Sequence, residues 1–193
     1  MKMVFSRFLL LIFTFAISLN IAHAFDEDEG SASASVSEGQ TLYTQTNIWY
    51  EKPMKILVLF HAGALLPVGT QVTIDDMSSK ALEFTTKDGG KFRIYTQKYY
   101  KLDGEEMAKL LFGKKNPKAK GGKFHKFSKM ERRQIEIGEI KKGMSRDAVI
   151  MAYGYPPTHV NPSLKQNMWK VWVTRWNTMN IYFKNGKVSR IQD

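Results

Sequence analysis

The sequence contains no cysteine. That excludes disulfides, thiolate metal sites, a cysteine nucleophile and a diacylglyceryl anchor, and it leaves stability to packed cores even in an oxidising compartment. Acids are scarce as well: 18 Asp and Glu face 29 Lys and Arg, a formal charge of +11 over 193 residues. Beyond the amino-terminal apolar run the histidines are His61, His125 and His159, too widely spaced for the short ligand intervals of zinc sites. No Gly-x-Ser-x-Gly elbow, phosphate-binding glycine loop or dinucleotide fingerprint is present. The adjacent acids Asp75-Asp76 are explained by a turn after a strand. These absences predict a protein that is not an enzyme and takes no cofactor and no metal.

What is present begins with Lys2 and Arg7, followed by an apolar run over residues 8–17 and the small-x-small site Ala22-His23-Ala24. This is the three-part layout of a secretory signal peptide, residues 1–24, cleaved before Phe25. A membrane-spanning helix would need about 20 apolar residues. Ser18, Asn20 and His23 interrupt the run before that length, and no later segment is apolar enough. The chain is therefore expected to be exported, without a lipid anchor and without a transmembrane span in the mature protein.

Residues 25–39 hold Asp26, Glu27, Asp28, Glu29 and Glu38 among serines and alanines. So little apolar content reads as a disordered acidic tail. With those acids set aside, the remainder is strongly basic. In an exported protein that balance points to anionic lipid, cell-wall polymer or acidic proteins rather than to nucleic acid.

From residue 40 to 101 short apolar runs are bounded by turn residues. Strands are expected at 42–50, 55–60, 71–75, 81–86 and 91–96, the last two joined as a hairpin by Asp88-Gly89-Gly90. Five such strands predict a small β-barrel. Leu66-Pro67-Val68-Gly69-Thr70 resembles the turn of bacterial Src-homology-3-like barrels, which implies peptide or cell-wall binding; an inert spacer barrel is the alternative.

Residues 102–134 read as a helical and basic connector. Asp103 caps a helix carrying Met107, Leu110 and Leu111, and Gly113 ends it. An exposed loop follows, broken by Pro117 and Gly121-Gly122, in which Lys114, Lys115, Lys118, Lys120, Lys123 and Lys126 form a candidate anionic-surface contact.

The last segment, 135–193, is preceded by a capping box, Ser128-Lys129-Met130-Glu131, which opens a helix. Ser145 caps another helix, with Val149, Ile150 and Tyr153 as its apolar stripe; Gly154 ends it in the left-handed conformation and Pro156-Pro157 forbid continuation. Strands are expected at 168–175, 179–184 and 187–191, with Asn185-Gly186 as a tight hairpin turn. The fold class is thus α+β, a five-stranded barrel followed by a helix-helix-three-stranded antiparallel unit.

The string Ile140-x-x-Gly143-Met144-Ser145-x-x-x-Val149, then Gly154-x-Pro156, Trp169 in a strand and Ile181-x-Phe183-x-Asn185-Gly186-Lys187-Val188 resembles the SmpA/OmlA family, the BamE-like outer-membrane assembly domain. The resemblance covers roughly residues 135–193. It implies the fold shared with β-lactamase inhibitor proteins, no catalysis, a location in the periplasm or at the periplasmic face of the outer membrane, and a role in outer-membrane assembly or integrity through envelope proteins, β-barrel assembly components among them, and anionic lipid. The family's assembly member is held by a lipidated cysteine absent here, and residues 40–100 have no counterpart in it.

Within this segment Trp172, Arg175 and Trp176, rimmed by Tyr155 and His159, are the candidate partner-binding residues, because Trp and Arg dominate interface energetics. Trp169, on the opposite face of the same strand, is expected in the core. An inhibitor or ligand-binding protein of the periplasm that uses the exposed sheet face is the alternative function.

Overall fold

The computed structural model describes residues 35–97 and 99–193. The expected signal peptide and most of the acidic tail lie outside the described residues. Ten strands and three α-helices follow in the order β1 Thr41–Thr44, β2 Ile48–Tyr50, β3 Ala64–Leu66, β4 Gln71–Met77, β5 Ala81–Thr86, β6 Lys91–Tyr95, α1 Gly104–Leu111, β7 Phe112–Gly113, α2 Lys129–Ile137, α3 Arg146–Tyr153, β8 Met168–Trp172, β9 Thr178–Lys184 and β10 Lys187–Gln192. The class is α+β with antiparallel sheets.

The first sheet is open, in the order β6-β5-β4-β1-β7, and β2 and β3 form a separate ribbon. The expected barrel does not close. Closure would need β6 to find a strand across the gap, but its outer edge is taken by the segment expected as a strand at 55–60. Arg93 N donates to Pro53 O at 2.9 Å, Ile56 N to Arg93 O at 2.9 Å and Tyr95 N to Ile56 O at 3.0 Å. That segment makes a single parallel bridge, Ile56 to Ile94, and then turns back, with Phe60 N bonded to Leu57 O. It blunts an edge that would otherwise offer a row of unpaired amides.

The strand expected over 42–50 breaks into β1 and β2, because Gln45 N turns to Leu111 O and Asn47 N to Met151 O instead of continuing the ladder. Asp75-Asp76 lies within β4, not in a turn after it, where the register shifts between Ile74 and Asp76 against β5. The β5–β6 hairpin forms as expected on Asp88-Gly89-Gly90, with Thr86 N donating to Gly90 O at 2.8 Å. A core of Leu42, Val72, Ile74, Leu82, Phe84, Ile94, Met107 and Phe112 fills the space between this sheet and α1.

The connector is more ordered than an exposed loop. Asp103 and Glu106 form a capping box on α1, which ends at Leu111 and passes straight into β7, one residue pair before the expected stop at Gly113. Beyond it Pro117 and Phe124 are buried, and Lys123–Lys126 forms a 3-10 turn. Anchoring the backbone at these two apolar points leaves Lys114, Lys115, Lys120, Lys123 and Lys126 exposed, and half-buries Lys118, whose ammonium lies 5.0 Å over the Phe124 ring. Lys123 also reaches Asp147 at 3.9 Å.

In the last segment the local signals hold. Ser128 and Glu131 form the capping box of α2, and Ser145 caps α3 through the Ala148 amide. Glu131 does more than cap its own helix: its second carboxylate oxygen accepts the Ser145 N–H at 2.8 Å, tying the starts of α2 and α3 together. Desolvation opposes its charge, yet the Ser145 and Ser128 donors outweigh it and hold the carboxyl below its ordinary value. Gly138 ends α2 at φ +70°, in the left-handed region, and a Cβ there would lie 2.5 Å from the Trp49 ring, so only glycine fits. Gly154 ends α3 at φ +86° with ψ near 180°, a positive φ but not the left-handed helical conformation expected.

The order β10-β9-β8 makes an antiparallel meander. Trp169, Val171, Met179, Ile181, Phe183 and Val188 face inward and are buried, and Asn185-Gly186 makes the β9–β10 turn. Strand β8 stops at Trp172 rather than Arg175. Its outer edge is closed by Asn161, whose amide accepts from Lys170 N and donates to Lys170 O, both at 2.8 Å, in imitation of a neighbouring strand.

Helix α3 cannot cap itself. Gly154 N reaches Ile150 O, which leaves the carbonyls of Met151, Ala152 and Tyr153 without helical donors. The amino-terminal half supplies them. Asn47 donates its backbone N–H to Met151 O at 3.0 Å and its side-chain amide to Ala152 O at 2.9 Å and Ile135 O at 2.7 Å, while its amide oxygen accepts Val68 N at 2.8 Å. The His61 ring faces Tyr153 O, and Tyr100 OH donates to Tyr155 O at 2.8 Å.

Replacing Asn47 by Ala strands buried donors and acceptors on three segments, each worth about 1–3 kcal/mol. Asn47→Ala is expected to lower the unfolding free energy by about 3 kcal/mol or more in urea titration; a loss below about 1 kcal/mol would show that the joint does not depend on this amide. A second outcome concerns Glu131. Because its folded pKa is depressed, its contribution is present above the ordinary value of about 4.5 and disappears as pH falls through the folded value. Glu131→Gln should therefore melt below the wild type at pH 7 and converge with it toward pH 3; a constant gap across that range would refute the charge-based account.

Candidate functional site

The amino-terminal half meets the end of the meander at residues 60 and 61. Phe60 bridges Trp172 in parallel and His61 N donates to Val173 O at 3.1 Å. This pins the point where β8 ends and sets four rings side by side. Phe60 meets Tyr99 edge-on at 6.1 Å between centroids, Tyr99 meets His159 at 6.1 Å, and His159 meets Trp172 at 5.6 Å. Lys170 places its ammonium 5.7 Å over the Trp172 ring. Trp172 is half-buried and His159 exposed.

Beyond Trp172 the chain makes an ordered turn. Val173 N donates to Asn177 O at 2.9 Å, and the Thr174 hydroxyl accepts Trp176 N at 3.2 Å and Asn177 N at 3.1 Å. The turn holds Arg175 exposed and Trp176 86% exposed. No other large apolar side chain among the described residues stands so far into solvent, the next being Met54 at 47%.

The structure thus brings Trp172 and His159 into ring contact and sets Arg175 and Trp176 on the adjoining turn. Tyr155 does not join them: it packs on the core of the first sheet, where burial, with the Asp147 charge second, pushes its phenol up. Trp169 is fully buried, against Phe183 at 4.6 Å. Phe60, Tyr99 and Lys170 join the rim without having been singled out in the sequence, since they come from segments far apart along the chain and only Lys170, two residues before Trp172 in a strand, carries a local signal for sharing its face.

Beneath the rim lies His61, buried, its Nδ1 2.6 Å from Trp172 O and its Nε2 against Tyr153 O, with the ring stacked on Tyr153 at 3.6 Å. Burial pushes its pKa down to about 4, against the two carbonyls, which pull it up. The rim offers stacking faces, one ammonium and an imidazole. Among the described residues no three metal-ligating side chains converge. No helix of the described residues is long and apolar enough to cross a membrane.

Comparison with protein-family models, with curated proteins and with solved structures finds no match.

The contrast between Trp169 and Trp176 is directly measurable by fluorescence. Trp176→Phe should remove the red-shifted emission most open to acrylamide quenching, and Trp169→Phe the blue-shifted, protected emission. Unchanged quenching in Trp176→Phe would place that ring in a covered site.

Proposed function

We propose that this chain is an exported, non-catalytic envelope protein that binds other proteins through the aromatic end of its C-terminal sheet, in outer-membrane assembly or integrity. The observation that carries it is Trp176 at 86% exposure beside Arg175, on an ordered turn adjoining the Trp172–His159–Tyr99–Phe60 rim. Leaving an indole in water forgoes about 1.5–3 kcal/mol of burial of the kind a large apolar side chain gains. A partner that covers it recovers that energy, and Trp and Arg are the side chains most enriched at interface hot spots. The order helix, helix, three antiparallel strands over 129–192 agrees with what the SmpA/OmlA resemblance implies, and supports the BamE-like reading of this segment. The exposed lysines from Lys114 to Lys126 supply a contact for anionic lipid or cell-wall polymer.

One observation favours a second reading, an inhibitor-like use of the sheet face. The outward residues Met168, Lys170 and Trp172 of β8, Asn180 and Tyr182 of β9 and Arg190 of β10 include two aromatic rings and two cations and no acid, with Arg190 4.0 Å over Tyr182. Stoichiometric loss of a periplasmic hydrolase's activity would select this reading.

In-cell crosslinking of tagged protein, with mass spectrometry of what is captured, tests the first. Trp176→Ala should weaken capture of the partner at least tenfold while moving stability by less than about 0.5 kcal/mol, the usual range for a surface change. Enrichment of outer-membrane assembly components supports the assembly role. Capture of lipid and cell wall alone, or equal capture by wild type and variant, would sink it.

A further inference from the structure

His61 is placed where neither of its protonation states is satisfied. Both ring nitrogens face backbone carbonyls, Nδ1 that of Trp172 and Nε2 that of Tyr153. Carbonyl oxygens only accept, and a neutral imidazole has one N–H, so one nitrogen must turn its lone pair toward an oxygen. An imidazolium would donate to both, and the carboxyl end of α3 favours positive charge. No counterion is at hand, however. The cavity of about 10 Å³ beside the ring is lined by Thr46, Asn47, Trp49, Tyr100, Met107, Tyr153 and Tyr155 among others, with no carboxylate.

The groups around His61 that titrate are phenols, and burial pushes Tyr100, Tyr153 and Tyr155 up, which keeps them neutral. Other charged and titratable side chains act at one remove. Lys170 and His159 contact the Trp172 ring, Asp193 acts on Tyr153 and Asp147 on Tyr155. Helix α1 contributes only Met107, Leu110 and Leu111 to this wall. A charged ring here is buried without a partner of opposite sign, which is costly.

We propose that His61 is a pH-sensitive latch between the end of α3 and the end of β8, and that its protonation releases the strand end that carries Trp172 and the Trp176 turn. The release is local: the ring leaves the joint for water, His61 N gives up Val173 O, and the Phe60–Trp172 bridge opens with it. The first sheet and the Asn47 contacts stay closed. That this loosens partner binding in mildly acidic surroundings rests on the reading of this end as the binding surface; the latch itself does not.

The sign follows from linkage. The opened ring has the ordinary value of 6.5 and the closed ring a value of about 4, so acid favours the opened form. Between pH 7 and pH 5 the opened population should rise about 20-fold, and the gain should level off below pH 4.

Amide hydrogen exchange on the purified protein, corrected for intrinsic rates, reads this without any partner. The amide of His61, bonded to Val173 O, should be less protected than that of Ile74, bonded to Gln40 O in the first sheet, at both pH values, and should lose protection about 20-fold from pH 7 to pH 5. In His61→Gln, whose side-chain amide donates hydrogen bonds and does not titrate, the pH dependence at residue 61 should vanish. Direct NMR titration of the wild-type ring stands in if that variant does not fold, with the ring expected neutral at pH 5. Protection at His61 that does not change with pH, protection at His61 equal to that at Ile74, or a ring that titrates near 6.5 would each overturn the latch. Failure of partner capture would leave all three results as they are and would count against the binding surface alone.

Discussion

The carboxyl end of α3 is the constraint on which the rest of the structure depends. A helix that stops at Gly154, ahead of two prolines, leaves three carbonyls that must find donors, and in a buried setting each unmet carbonyl costs a sizeable share of a small protein's stability. Asn47 supplies two of them from the amino-terminal half, and the His61 ring faces the third. The same two residues reach elsewhere as well, Asn47 to Ile135 O and the Val68 amide, His61 to Trp172 O. One helix end therefore sets where the first sheet, α2 and β8 meet.

The two bolts differ in kind. Asn47 has every polar side-chain atom satisfied and no charge to gain or lose, so it holds equally across pH. His61 is unsatisfied in either state and stacked on Tyr153 in a place that disfavours charge. Asn47 is therefore the firm bolt of the joint and His61 the soft one. Local openings are drawn from such soft places, and this one lies directly under the exposed turn.

Elements with local causes could be read from the sequence. Ser128 with Glu131, Ser145, Asp88-Gly89-Gly90 and Asn185-Gly186 specify their caps and turns within three or four residues, and each forms. What depends on distant partners could not be read. An apolar run over 42–50 looks like one strand, and only two helix ends, that of α2 88 residues away and that of α3 105 residues away, explain why it breaks at Asn47. Residues 55–60 have the composition of a strand but cover an edge instead, because β6 needs a partner more than the run needs a ladder of its own. Trp176 was legible as a residue type, while its exposure follows from β8 ending at Trp172, set by Phe60 and His61 from 111 residues upstream.

The same distinction bears on function. The positions that carry the family resemblance have structural duties here: Gly143 sits at φ +93° and donates to Val188 O, Met144 is fully buried, and Asn185-Gly186 makes a hairpin turn with positive φ at both residues. They would be selected in any protein with this meander, whatever it binds, so they argue for architecture and not for a partner. Trp176 and Arg175 have no such duty. Neither fills the core, the turn that holds them is closed by Thr174 and Asn177, and an indole kept in water costs solubility without a return in folding. A side chain that the fold does not need, presented by a turn that the fold takes trouble to order, is what the proposed binding surface requires.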